Sequence, residues 1–101
     1  MIRVPTHRRP ATPGEILAEE FLLPLKITQS ALAEAPGIPF QRVNQIVRGK
    51  RAVTPDTALR LARYFGTTPD LWLNTQLAAD LYDAMHGKTA ADIRKIKPVA
   101  A

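Results

Sequence analysis

Apolar residues recur at helical spacing along most of this 101-residue chain, and prolines and glycines punctuate the runs. Leu17, Phe21 and Leu22 form a first stripe, in a helix that Pro13 opens and that continues through about Leu23, where Pro24 is expected to end it. Leu32 and Ala33 turn inward from a short helix, Gln29 to Ala35, capped by Thr28. Val43, Ile46 and Val47 follow i, i+3, i+4 in a helix from about Pro39 to Arg48. Ala58, Leu61, Ala62 and Phe65 do the same after the Thr54-Pro55-Asp56 start signal, and Gly66 closes that helix. Thr68-Pro69-Asp70 opens a longer helix whose stripe is Leu73, Leu77, Leu81 and Met85, joined by Ala78 and Tyr82, with Gly87 at its end. No segment alternates strongly enough to make a strand, so the expected fold is all-α with five helices. The Ala90-to-Ile96 stretch is open between a weak helix and disorder.

The second and third helices carry the functional pattern. Pro36-Gly37 joins them, because proline resists a helix interior and Gly37 can take a positive φ. Gly49 stops the third helix as its C′ residue. The face of that helix away from Val43 and Ile46 holds Gln41, Arg42, Asn44, Gln45 and Arg48. Arginine suits guanine O6 and N7, and glutamine or asparagine suits adenine N6 and N7. Two short helices, a glycine turn and such a face are the sequence shape of a helix-turn-helix DNA reader.

Charge supports this reading. The net charge is +5, and residues 40–63 hold Arg42, Arg48, Lys50, Arg51, Arg60 and Arg63 against Asp56 alone. Glu15, Glu19, Glu20 and Glu34 cluster earlier, and Asp70, Asp80 and Asp83 later. Positive charge concentrated on the reader is what phosphate binding requires. The chain divides into a basic arm at 1–12, a helix-turn-helix domain at 13–87 and a basic tail at 88–101. Cysteine is absent and no apolar run approaches membrane length, so the default location is cytoplasmic. His7 and His86 are isolated and expected to be ordinary surface residues, with no metal site. Glu19 and Glu20 are adjacent and diverge on a helix, and no nucleophile or phosphate loop accompanies them. We expect no catalysis and no cofactor.

The sequence resembles the HigA-type antitoxins, XRE-like helix-turn-helix proteins also called virulence-associated protein I. The resemblance covers roughly residues 12–83. It rests on Pro13-Gly14-Glu15-Ile16-Leu17 with Glu20-Phe21-Leu22, Thr28-Gln29, Leu32-Ala33, Gly37-Ile38, Arg42-Val43 and Ile46. It continues through Gly49-Lys50-Arg51, Thr54, Asp56, Ala58-Leu59-Arg60-Leu61-Ala62, Phe65-Gly66-Thr67, Trp72-Leu73-Asn74, Gln76 and Asp80-Leu81. It implies a lambda-repressor-like domain with flexible termini, acting as a homodimer on a palindromic operator. It also implies autorepression of the operon and neutralisation of a HigB-like ribonuclease toxin. Gln29 takes the position that commonly braces a phosphate. Two places depart from the family pattern. Pro36 stands where an apolar residue usually precedes the turn glycine, and Pro39-Phe40 stands where Ser or Thr usually caps the third helix. Phe40 is expected either to meet a thymine methyl or to pack into the core and tilt the helix.

On this reading Gln41, Arg42, Asn44, Gln45 and Arg48 contact bases, and Thr28, Gln29, Lys50, Arg51 and Thr54 contact phosphates. Trp72, Leu77, Leu81 and Tyr82 are the expected dimer surface, with Trp72 shared between that role and the core. The acidic first helix and the arm are the expected toxin surface. The alternatives are a stand-alone transcriptional repressor and a protein-capture module whose helix-turn-helix no longer binds DNA.

Overall fold

Six helices follow one another through residues 8–99, which the computed structural model describes, and no strand occurs among those residues. The expectation for His7 and residues 1–7 of the basic arm lie outside the described residues, as do residues 100–101 of the tail.

The first helix, α1, begins with an α-helical turn, Pro13–Ile16, widens into a π-helical stretch, Leu17–Leu22, and finishes with another α-helical turn, Leu23–Leu25. Its start is doubly capped. Thr12 Oγ1 accepts the Glu15 N–H at 3.1 Å, and Glu15 Oε1 accepts the Thr12 N–H at 3.2 Å. Leu17 and Leu22, five residues apart, are both buried, as the wider turn allows. Pro24 does not end this helix as the sequence suggested. The chain runs through it to Leu25 and stops at Lys26, whose φ is 57°. The reason lies in the turn before it, where the Leu23 N–H bonds to Ala18 O, five residues back. A ladder already widened there is least disturbed by the missing N–H and the ring of proline.

Helix α2, Gln29–Glu34, is capped by Thr28 Oγ1, which accepts the Ala31 N–H at 3.1 Å. Its exit is a left-handed turn. Gly37 has φ 74°, its N–H bonds to Glu34 O at 3.3 Å, and the Ile38 N–H bonds to Ala33 O at 2.9 Å. Arg60, from a later helix, braces that turn by donating from Nη1 to Pro36 O at 3.0 Å.

Helix α3, Phe40–Val47, starts one residue later than expected, with Pro39 as an N-cap that makes no side-chain bond. Val43 and Ile46 are buried beneath it. Phe40 is 52% exposed at its head, so it stays outside the core. Helix α4 spans Pro55–Phe65 behind the Thr54 cap, α5 spans Pro69–Met85, and a short α6 spans Ala90–Arg94. The sixth helix goes beyond the five expected and settles the open reading of that stretch.

The core gathers Leu17, Leu32, Val43, Ile46, Leu61 and Trp72. Trp72 is 0% exposed, with its Nε1–H donated to Thr67 Oγ1 at 3.0 Å. The Phe21 ring lies 5.2 Å from it and 4.7 Å from Phe65. Trp72 is therefore a core residue and not a surface for a partner, because its own chain already encloses it. The stripe of α5 divides. Leu73 packs on the core, whereas Leu77, Leu81 and Met85 remain exposed.

α1 and α3 approach closely at Gly14. A Cβ on Gly14 would stand 1.9 Å from Ile46 O and 3.0 Å from Val47 O. Helix propensity alone would make Gly14→Ala stabilising by about 1 kcal/mol. Here the added methyl meets backbone carbonyls that cannot rotate away, and overpacking of that kind costs about 1–3 kcal/mol. The steric term wins. Gly14→Ala should lower the unfolding free energy measured in urea, and a stabilised variant would show that α3 is not seated on α1 in this way.

Candidate nucleic-acid interface

The buried stripe of α3 fixes how the helix is turned. With Val43 and Ile46 beneath it, the helical period puts Gln41, Gln45 and Arg48 at the centre of the outer face. Arg42 and Asn44 fall on opposite shoulders, and both, like Gln45, are half-buried. Phe40 lies beside the Asn44 shoulder. The five residues expected to meet bases thus span one face, although not equally: Gln41 and Arg48 are exposed, and the other three are half-buried.

Two of these side chains are held by neighbours expected to touch phosphates. Asn44 Nδ2 donates to Gln29 Oε1 at 3.1 Å, tying α3 to the first residue of α2. Gln45 Oε1 accepts the Arg51 Nε–H at 2.8 Å. The second bond depends on how α3 ends. Gly49 has φ 73°, and the Lys50 N–H folds back to Gln45 O at 2.8 Å. The loop therefore returns over the last turn and brings Arg51 to Gln45.

The two threonines differ. Thr28 uses an oxygen lone pair to cap α2 and keeps its O–H proton for another partner. Thr54 Oγ1 accepts the Thr57 N–H at 3.4 Å and donates to Thr57 Oγ1 at 3.4 Å. Both contacts are long, and Thr54 itself is exposed.

The basic window also divides. Arg42 belongs to α3, Arg48 is its C-terminal cap residue, and Lys50 and Arg51 lie in the loop behind it. Arg60 is engaged elsewhere. Besides bracing the α2 turn, its Nε donates to Asp56 Oδ2 at 2.9 Å. Arg60 and Arg63 line a surface hollow with Pro36, Leu59 and Tyr64. Four of the six bases in this window thus lie on α3 or just behind it, and Arg60 and Arg63 lie away from it.

Another ion pair was invisible in the sequence. Arg9 binds Asp83 of α5 through two bonds, Nε to Oδ1 at 2.8 Å and Nη2 to Oδ2 at 2.9 Å. That guanidinium holds the Asp83 carboxyl below the usual carboxylate range, and the carboxylate in turn raises the pKa of Arg9. Arg9 shares a cleft of about 250 Å³ with Gly14, Ile46, Lys50 and Arg51. The end of the arm is thus pinned behind α3. No local signal marks a pair separated by 74 residues.

Among the described residues, no group of His, Cys, Asp and Glu is arranged to hold a metal ion. No helix among them is long and apolar enough to cross a membrane.

Comparison with known proteins places this geometry. A family model described as helix-turn-helix matches residues 19–72, a span that holds α2, α3 and α4. The chain is 49% identical to virulence-associated protein I of Dichelobacter nodosus, over 80% of this chain and 75% of that one. It is 40% identical to antitoxin HigA-1 of Vibrio cholerae serotype O1, over 93% of this chain and 88% of that one. A solved structure of the Pseudomonas aeruginosa antitoxin HigA with the higBA promoter superposes with a TM-score of 0.83 at 40% identity, covering 90% of this chain and 99% of that one. A seated α3, its amide-rich outer face and these likenesses agree: the chain belongs to the HigA-type antitoxins of the XRE-like helix-turn-helix family.

Proposed function

We propose that this protein is a cytoplasmic DNA-binding antitoxin that represses its own operon and neutralises a HigB-like ribonuclease toxin. The observation that carries the DNA part is the outer face of α3. It presents exposed Gln41 and Arg48, with half-buried Gln45 beside them, over a buried Val43 and Ile46, with Lys50 and Arg51 directly behind. A HigA relative solved with promoter DNA adds support.

The proposed mechanism is steric. Two copies insert their α3 helices into successive major grooves about one helical turn apart. Gln29, Lys50, Arg51 and the free proton of Thr28 position the protein on phosphates. Gln41, Arg42, Asn44, Gln45 and Arg48 read base edges, and exposed Phe40 is free to meet a thymine methyl. A promoter covered in this way is closed to transcription. The copies meet through Leu77 and Leu81 on α5, with Tyr82 beside them and Trp72 withdrawn into the core. The toxin docks on α1. Glu15 is committed to the cap, so Glu19 and Glu20, both exposed, supply the acidic surface for a basic ribonuclease.

Arg42→Ala should weaken binding to the selected DNA sequence by about 1–3 kcal/mol and barely affect random duplex. Lys50→Ala should weaken both alike and flatten the salt dependence by about one phosphate contact. Titrations of each variant against both duplexes test this, and an equal loss for Arg42→Ala on the two would remove it from the base readers.

Co-expression with the product of the adjacent gene tests the antitoxin part. The wild type should relieve growth arrest, and a double Glu19→Lys, Glu20→Lys variant should lose that relief while still binding DNA. No relief by the wild type would leave a stand-alone repressor. Relief without sequence-specific DNA binding would leave a protein-capture module.

A further inference from the structure

We infer that Arg51 decides which base Gln45 reads, by turning the Gln45 amide into a hydrogen-bond donor that selects guanine. The inference rests on α3 being the DNA reader proposed above.

The chemistry follows from one bond. The Arg51 Nε–H can only donate, so the Gln45 atom that faces it at 2.8 Å is Oε1. The opposite orientation of the amide would set two donors against each other. An unrestrained glutamine reads adenine with both ends of its amide, accepting from N6 and donating to N7. In this protein Arg51 holds the acceptor end and takes one of its two lone pairs, so the NH2 group is the freer end for a base. Guanine offers two acceptors in the major groove, N7 and O6, whereas adenine offers N7 beside an amino donor. The guanidinium charge next to Oε1 acts in the same direction, attracting the electronegative guanine edge and opposing an amino group.

Asn44 provides the contrast. It gives one N–H to Gln29 and keeps Oδ1 and the other N–H, the mixed pattern that suits adenine. Two amides on the same helix are thus prepared for different bases by their neighbours.

Arg51 is a positioning residue in this scheme. Its Nε is committed to Gln45, and its Nη1 and Nη2 groups remain for a phosphate oxygen. Phosphate contact and base choice are then coupled through one side chain. Gly49 makes the arrangement possible, because its left-handed φ of 73° returns the loop over the last turn of α3.

Selection of sites from a randomised duplex pool tests the inference, with wild type, Gln45→Ala, Arg51→Ala and Arg51→Lys compared and folding checked by thermal melts. The wild type should enrich a site with a guanine at a position where Gln45→Ala loses preference. Arg51→Ala should reduce that guanine preference by about fivefold or more and raise adenine there. Arg51→Lys, which keeps the charge without the fixed fork, should not restore the wild-type preference. Two results would overturn the inference with DNA reading intact: adenine at the Gln45-dependent position in the wild type, or an unchanged guanine preference in Arg51→Ala despite weaker binding overall. A wild-type pool with no enriched sequence would overturn the inference together with the DNA reading beneath it.

Discussion

The contact between Gly14 and the last carbonyls of α3 sets the geometry on which the rest depends. A helix used to read DNA must be held at a fixed height and rotation, and α3 is only eight residues long. Its own hydrogen bonds cannot supply that rigidity. Val43 and Ile46 fix its rotation from below. The first turn of α1 presses against its C-terminal end, so closely that Ile46 O occupies the space of a Gly14 side chain. The Thr12–Glu15 cap keeps that turn of α1 in place, and Arg9 binds Asp83 on the far side of the same cleft.

The polar chemistry is organised outward from this seat. The α2–α3 turn is closed by Gly37 and braced by Arg60, which removes one guanidinium from the basic surface and assigns it to structure. The loop after α3 folds back through Gly49 and places Arg51 over Gln45. Gln29 reaches across from α2 to Asn44. In the last two cases a residue near the expected path of the phosphates restrains a residue near the expected bases. Order of this kind lowers the entropy lost on binding, because fewer rotamers remain to be frozen.

Much of the fold was legible because its boundaries use strong local chemistry. Thr28, Thr54 and the proline-first starts announce helices, and Gly37, Gly49 and Gly66 end them, whatever surrounds them. The Thr12–Glu15 box was equally readable from its spacing, although Pro13 alone had marked the start. Pro24 misled because the breaker rule assumes an α-helical ladder, and the π-helical turn before it is set by packing of Leu17 and Leu22. Trp72 was ambiguous because a pattern shows which residues are apolar and not what covers them. Its neighbours Phe21 and Phe65 come from other helices. The residue types of the candidate interface were also legible. Their partners were not, since the bonds from Arg60 to Pro36 and from Arg9 to Asp83 span 24 and 74 residues. Gly14 gave no local sign of its role, because a glycine in a first helical turn looks neutral until another helix is placed against it.

The central claim is that this seated face of α3 reads base sequence. The most direct measurement is a titration of the purified protein against the DNA upstream of its own gene and against a scrambled duplex, at two salt concentrations. The account predicts tight binding to the upstream sequence alone, with affinity that falls steeply as salt rises. Equal, weak binding to both duplexes would contradict it, and would mean that Pro39 and Phe40 leave α3 unable to enter the groove in register.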